Sequence, residues 1–461
     1  PTWFAQVDPM VSPQVLIEGT ISAERAGSYS YIVEVGRGHD PRDWTQIGDG
    51  SGSGVETGVL ATLDLEGFAW KAPLEADVSE GIMGRIARAH ENQLTVRVRV
   101  TDDSGLMGEQ RKAFAVNADP DLLPGWPVQL PGSAESSPRM ADLDGDGIFE
   151  IIVGTSDGRV TAFNGAGDVL PGWPVQTDVV ADFASGGEGA MSGEVPPLHD
   201  AIIAAVAVGD LDGDGANEVV ATTFGGFIYA WSAAGDRLDG FPVQTIGRAP
   251  EEFSVDNTWD QGFVGAPALF DLDDDGTLEI IAAAMDQRLY VFTGDGENWG
   301  PYPIEACHPL TCGVQGRRII TSPAIGDVDN DGDYEIAIGS NEAPNDGRMV
   351  VSHLFDANTG LSAEGWPRAD VGLVNESVLL PLLGEGHPAS MAFADIDGDG
   401  DLEIGNPIIF GTGGLMAHDG TIALALPHFA EAFPEGTNVD DAIAPAMVQF
   451  VTNPAFGDMT G

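Results

Sequence analysis

Five copies of one nine-residue pattern set the terms for any fold of this 461-residue chain. The first copy is Asp142-Leu143-Asp144-Gly145-Asp146-Gly147-Ile148-Phe149-Glu150. Acids stand at positions 1, 3, 5 and 9, and glycine at 6, in every copy. The acids are Asp142, Asp144, Asp146 and Glu150; Asp210, Asp212, Asp214 and Glu218; Asp271, Asp273, Asp275 and Glu279; Asp327, Asp329, Asp331 and Glu335; and Asp395, Asp397, Asp399 and Glu403. A hard divalent cation takes about six to eight oxygens at short range. Alternate carboxylates in a tight loop converge on one point, and the acid at 9 closes the shell. Position 7 is expected to add a backbone carbonyl, from Ile148, Ala216, Thr277, Asp333 and Asp401. Glycine at 6 permits the sharp reversal, since it reaches positive φ without steric cost. The expectation is about five Ca²⁺ sites.

An EF-hand would need a glutamate at position 12 and flanking helices. Position 12 here is Val153, Ala221, Ala282, Ile338 and Asn406. The residues after each motif are apolar and β-like, as in Ile151-Ile152-Val153 and Ile280-Ile281-Ala282. Each loop is therefore expected to join two strands at a hairpin tip.

From Leu123 the chain is repetitive. The first aspartates are spaced by 68, 61, 56 and 68 residues, and Asp458 follows 63 residues after Asp395. Each unit has a short apolar lead-in, the acidic loop, two β runs and a Gly-aromatic-Pro segment such as Gly172-Trp173-Pro174 or Gly365-Trp366-Pro367. About four strands per repeat is the mark of propeller blades, which bury their faces against their neighbours. Residues 119–461 are thus expected to form a propeller of five full blades and the start of a sixth, incomplete in this chain. Asn453–Gly461 begins that sixth unit, with Thr460 at position 3. Pro124-Gly125-Trp126-Pro127-Val128-Gln129 copies a closing segment ahead of the first loop, placed to pair with the last blade.

Residues 1–118 read as a separate β-domain. Candidate strands are Val15–Ile21, Tyr29–Gly36, Trp44–Gly48, Leu60–Leu65, Leu94–Thr101 and Arg111–Val116. Leu94–Val100 alternates apolar and polar, which predicts one buried and one wet face. Six or seven short strands suggest an immunoglobulin-like or fibronectin-III-like sandwich with Trp44 in its core. The fold class is all-β.

Charge narrows the partners. The chain carries 73 acids against 19 bases, a net charge of −54. The first 118 residues hold only −7 of it, with 17 acids and 10 bases, so −47 lies beyond. Such a surface disfavours nucleic acid and anionic membranes. No apolar run approaches the ~20 residues of a membrane span, so no membrane insertion is expected. Pro1-Thr2-Trp3-Phe4 is no signal peptide and lacks a start Met, which suggests a piece of a longer precursor. The two cysteines, Cys307 and Cys312, are five residues apart. A local disulfide fits a calcium-dependent exported protein; a reduced pair comes next, and a zinc site lacks a visible four-ligand set.

These motifs resemble the FG-GAP/VCBS repeat family, the integrin α-subunit type of β-propeller, and Phe263-Val264-Gly265-Ala266-Pro267 approximates its name-giving motif. The resemblance implies Ca²⁺ at each loop and a secreted or cell-surface adhesive role. Sandwich plus propeller is also similar to the C-terminal regions of large secreted bacterial subtilisin-like peptidases.

Catalytic constellations are weak. Gly154-Thr155-Ser156-Asp157-Gly158 fits G-x-S-x-G, but a nucleophile elbow leads into a helix, and here a β run follows. The histidines form no H-E-x-x-H. The aromatics Trp126, Trp173, Phe241, Tyr302 and Trp366 hold one place in each unit, which argues for packing between blades over sugar stacking. Binding is better sought in the insertions near 177–199, 246–260, 294–318 and 376–387. The expectation is a non-catalytic, calcium-stabilised, extracellular binding, adhesion or scaffold protein. Its partner would be an extracellular protein or polysaccharide, or a further chain completing the propeller. The alternative is an accessory substrate- or surface-binding region of a secreted subtilisin-like protease.

Overall fold

A computed structural model of the chain describes residues 6–23, 27–65, 93–116, 123–180, 197–247, 261–310, 312, 318–342, 350–370, 387, 390–406 and 414–425. Every regular element among them is a strand. No helix among them is long and apolar enough to cross a membrane. The chain divides into two compact units, residues 1–129 and 130–461.

In the first unit, a sheet of five strands runs in the order Gln6–Val7, Met107–Val116, Gln93–Asp102, Tyr29–Arg37, Thr45–Gly52. A second sheet pairs Gln14–Ile21 with Glu56–Asp64. One core lies between the sheets, with Ile17, Leu60 and Leu63 from the smaller and Tyr31, Val33, Leu94 and Phe114 from the larger. Trp44 corrects the sequence expectation. It is only half-buried, and its ring lies under the Arg97 guanidinium at 3.9 Å, with Arg111 at 5.2 Å. The alternating strand is corrected with it. Its polar face is not wet, because Thr95 is 2% exposed and Arg97 pairs with buried Glu34 at 2.7 Å. A guanidinium stacked on indole and paired with a carboxylate covers a sheet face as an apolar side chain would.

Among the described residues, the second unit is five antiparallel sheets in succession. The first four-stranded meander is Arg139–Ala141, Glu150–Gly154, Arg159–Phe163, Val175–Gln176. The next three begin at Ala207, Ala268 and Ala324, and the fifth at Ala392. In the fourth sheet an extra strand, Arg318–Ile319, also pairs with Glu335–Asn341. The second strand of each sheet is β-branched and apolar, and Glu218–Thr222 and Glu279–Ala283 are buried at every residue. A strand with both faces covered must be flanked by two other layers. Those layers are the neighbouring sheets: Ile152 and Val160 pack with Val219 and Trp231, and Ile281 and Val291 with Ile336 and Phe355. This succession of packed four-stranded sheets is propeller-type architecture.

The Gly-aromatic-Pro segments join consecutive sheets. Trp173, Phe241, Tyr302 and Trp366 are all under 9% exposed. Trp173 Nε1 donates to the Ala233 carbonyl at 3.0 Å, and Trp366 Nε1 to that of His418 at 2.8 Å. The preceding glycine is required on two counts. Gly172 has φ of 88°, and a Cβ there would meet the Ala234 carbonyl oxygen at 1.9 Å. Trp126 differs, being half-buried, and Pro124–Gln129 forms no strand. The expected linker at 117–122, most of the insertions and the Asp458 unit lie outside the described residues.

Candidate metal centre

Each acidic loop closes a hairpin between the first and second strand of its sheet. The residue before the first aspartate pairs with the ninth-position glutamate: Ala141 with Glu150, Gly209 with Glu218, Phe270 with Glu279, Gly326 with Glu335, Ala394 with Glu403. The structure thus brings all five motifs to equivalent points in five sheets.

The first aspartate organises the turn. Asp142 Oδ1 accepts from Gly145 N at 2.8 Å and Oδ2 from Gly147 N at 3.0 Å. Asp210, Asp271 and Asp327 use both oxygens in the same way, on the amides of positions 5 and 6. Asp395 accepts from Gly398 N at 2.7 Å. The fifth-position carboxylates accept from the amide of position 7 at 2.7–3.0 Å, so Ile148, Ala216, Thr277, Asp333 and Asp401 each bend over their own loop. Two positions in each loop are left-handed. Position 6 is always glycine. Position 4 is Gly145, Gly213, Asp274, Asn330 or Gly398, with φ between 54° and 80°. Glycine, asparagine and aspartate are the residues that tolerate this region. That signal was readable in the sequence beside the glycine at 6, and was missed.

The ninth residue carries two roles. Glu150, Glu218, Glu279, Glu335 and Glu403 are 2–6% exposed. One oxygen of each accepts the position-2 amide at 2.8–2.9 Å. In the second, third and fourth loops the other role is visible. Asp210, Asp212 and Glu218 offer ligand oxygens within 4.8 Å of one another, as do Asp271, Asp273 and Glu279, and Asp327, Asp329 and Glu335. In the first and fifth loops the grouped acids are Asp142, Asp144 and Asp146, and Asp395, Asp397 and Asp399.

The electrostatics follow from burial and like charge. Burial, and then the three loop aspartates, push Glu279 up to about 7, and Glu335 likewise to about 7. Glu218 is raised for the same reasons, burial first. Asp329 is also raised, by burial and then by Asp331. Asp275 goes the other way, held low by the Thr277 hydroxyl, which donates to it at 2.6 Å. A buried carboxylate ringed by carboxylates lacks a compensating cation. An all-oxygen donor set with four acids per loop suits a hard divalent ion such as Ca²⁺.

Sequence reasoning did not find the contacts that tie each loop to a neighbouring loop or to a later turn of its own sheet. Asn217 Nδ2 donates to the Asp142 carbonyl at 2.7 Å. Tyr334 hydroxyl donates to Asp274 at 3.3 Å, and Asn358 to Asp333 at 3.2 Å. His418 Nδ1 lies 2.9 Å from Asp401. Asn217 and Tyr334 share position 8 of the motif, whereas Asn358 and His418 follow the third strand of their own sheets.

Other candidates settle as structure. Cys307 and Cys312 are bonded to each other. Phe263 is fully buried, and a Cβ on Gly265 would meet the Thr321 carbonyl at 2.3 Å, so the Phe-Val-Gly-Ala-Pro stretch is a spacer between sheets. Gly154–Gly158 turns from one strand into the next, not into a helix.

Against known proteins, a family described as FG-GAP-like repeat matches residues 271–338, the third loop through the strand after the fourth. No curated protein matches the sequence. Among solved structures the chain is similar to the V. cholerae biofilm matrix protein Bap1, at 20% identity and a TM-score of 0.35, covering 63% of this chain and 39% of that one. It is also similar to BamB from Moraxella catarrhalis, at 14% identity and 0.31, covering 72% and 82%. A third is the quinohemoprotein alcohol dehydrogenase of Comamonas testosteroni, at 15% identity and a TM-score of 0.30, covering 61% and 42%. These are distant likenesses, and the functional reading below rests on the loops.

Proposed function

We propose that this chain is a secreted, calcium-stabilised, non-catalytic binding or scaffold protein. The observation that carries the reading is the fivefold recurrence of one carboxylate cage, with three ligand oxygens already within 4.8 Å of one another in each loop. Asp142, Asp144, Asp146 and Glu150 and their counterparts would hold Ca²⁺, with the carbonyls of Ile148, Ala216, Thr277, Asp333 and Asp401 as backbone ligands. The first unit is read as an immunoglobulin- or fibronectin-III-like sandwich, supported by its two sheets over one core. The partner would be an extracellular protein or polysaccharide. The role as an accessory region of a secreted peptidase draws no support from the described residues.

Calcium here is a fold ligand. Binding to the folded state alone adds about 2.7 kcal/mol per site at a hundredfold excess over Kd. Extracellular modules bind at about 10⁻⁴ to 10⁻³ M. Differential scanning calorimetry of the full chain in millimolar Ca²⁺ and in EDTA tests this. Ca²⁺ should raise the melting temperature of the second unit and leave the first in place. A thermogram indifferent to EDTA sinks the calcium reading.

A further inference from the structure

Among the described residues the two sheets of the first unit are unequal: two strands lie over five. On the larger sheet, alternate residues of Gln93–Asp102 and Met107–Val116 face the smaller one. Their register sets Leu94 beside Phe114, Val96 beside Lys112, Val98 beside Gln110 and Val100 beside Gly108. Leu94 and Phe114 are each 1% exposed. Further along, the cover thins. Val98 and Val100 are only partly buried, and Lys112, Gln110 and Gly108 are exposed on that same face. Ile17, Ile21 and Leu60 of the smaller sheet stand across from them, buried. Between the sheets lies a cleft of about 400 Å³, a size typical of ligand pockets.

The walls of the cleft are strand edges. Among the described residues, Gln14–Ile21 pairs on one side only, with Glu56–Asp64. Beyond its pairing with Gln93–Asp102, Met107–Val116 meets only the short strand Gln6–Val7, at Ala115 and Val116. Residues 17–21 and 108–112 line the cleft as unbroken runs, as a backbone edge does and alternating side chains do not. An open edge is a template for another strand. The usual protections are missing here: Gln14–Ile21 holds no proline or lysine, and its bulge places the extra residue, Leu60, on the partner strand.

Charge narrows the occupant. Ile17, Gly19 and Ile21 alternate inward, with Glu18 and Thr20 outward. Glu109 belongs to the outer face, where it accepts from Arg111 at 2.6 Å. Lys112 is therefore the one charge on the inner face of the cleft, and it has no ion-pair partner among the described residues. A matching strand carries a carboxylate there.

We propose that the first unit binds an extended peptide strand of a partner protein along the free edge of Gln14–Ile21, as a third strand of the smaller sheet. Its inward side chains are apolar where they cover Val98 and Val100, and acidic where one meets Lys112. Backbone hydrogen bonds supply affinity, and the inward side chains supply selection. A second copy of this chain fits less well, because its own Ile17 and Ile21 are already spent in its own core. The proposal gives the binding reading a site in the first unit. The calcium reading is tested in the second unit, so either can fail alone.

Fluorescence anisotropy with the full chain and a labelled peptide of about nine residues tests it. The probe alternates threonine and valine, with one valine replaced by glutamate; a second probe carries lysine at that place. The glutamate probe should bind saturably and the lysine probe about tenfold more weakly, and Lys112→Glu should reverse that order. Gly108→Leu fills the cleft from its own wall. A Cβ there meets nothing within 4 Å, and the residue is not left-handed. Near-ultraviolet circular dichroism should therefore stay native while binding is lost. Hydrogen exchange read by mass spectrometry should slow at residues 14–21 when the glutamate probe is added. A glutamate probe that does not bind, or that binds Gly108→Leu equally well, overturns the proposal, as does exchange at 14–21 that the probe leaves unchanged. A chain that sediments as a dimer, with the dimer lost in Gly108→Leu, also overturns it, by giving the cleft to a second copy.

Discussion

Replacing Glu279 by glutamine should change the sign of its effect with calcium. Glu279 is 2% exposed, and its Oε2 accepts the Leu272 amide at 2.8 Å. Glutamine keeps a carbonyl oxygen for that bond and loses only the charge. Without metal the charge is a burden: burial and Asp273, Asp271 and Asp275 push the carboxyl up to about 7, against an ordinary value of 4.5. The difference amounts to roughly 3 kcal/mol against the ionised form. The folded value is the raised one, so the penalty is full above pH 7 and gone below about 4.5. In EDTA at pH 8, Glu279→Gln should therefore be more stable than the parent, by up to roughly 3 kcal/mol. The gain should shrink at pH 5. In saturating Ca²⁺ the charge is a ligand, and the variant should forfeit about the 2.7 kcal/mol of one well-occupied site. Urea unfolding followed by tryptophan fluorescence, in both buffers, measures both signs. A variant that is destabilised equally in EDTA and Ca²⁺ would show Glu279 to be only a backbone cap, and the reasoning would fail.

Three further outcomes are expected. Asp200 is 7% exposed with one carboxylate oxygen unpartnered, and burial raises its pKa. Asp200→Asn should raise stability by about 1 kcal/mol at pH 8, with the gain fading as pH falls toward 4, read by urea midpoint. Glu34 is held low first by the Arg97 hydrogen bond and then by Arg99. Its contribution is present above the ordinary glutamate range and lost as pH falls through the depressed folded value. Arg97→Met should cost the first unit about 3 kcal/mol at neutral pH and flatten its acid transition, as followed by near-ultraviolet circular dichroism. Trp173→Phe removes the indole bond to Ala233, and should cost about 1 kcal/mol in the second unit's urea midpoint.

What was legible in the sequence was what repeats or alternates. The hairpin placement of each loop followed from Asp-x-Asp-x-Asp-Gly against apolar runs, and strands such as Gln14–Ile21 and Tyr29–Arg37 fall within a residue of their expected bounds. The fixed place of Trp173 and Trp366 argued for packing, and both are buried against the next sheet. Trp44 went wrong because an aromatic in a strand is read as core by propensity alone. The Arg97 and Arg111 that half-cover it come from strands far along the chain. Asn217, Asn358 and His418 were invisible for the same reason. Asn217 is an ordinary polar residue until a neighbouring sheet brings a loop within reach, and Asn358 and His418 are so until a later turn of their own sheet comes back to its loop.

The ninth glutamate explains how a surface loop can matter to a core. Its bond to the position-2 amide fixes the residue whose side chain enters the interior: Leu143, Leu211, Leu272 and Val328 are 0–3% exposed. In two of those loops the position-2 carbonyl in turn accepts the position-8 amide of the next sheet, Leu278 to Leu211 and Leu402 to Val328. A cation held by Asp210, Asp212 and Glu218 would therefore press on a chain of three links: carboxylate, core leucine, adjoining sheet. Carboxylate repulsion in its absence acts on the same chain with the opposite sign. Occupancy at one loop should then stiffen its own hairpin and the seam beside it. Asp144 and Asp212 stand outside that chain of links, where each would serve the ion and accepts the amide two residues on, of Asp146 and Asp214, at 3.2 Å.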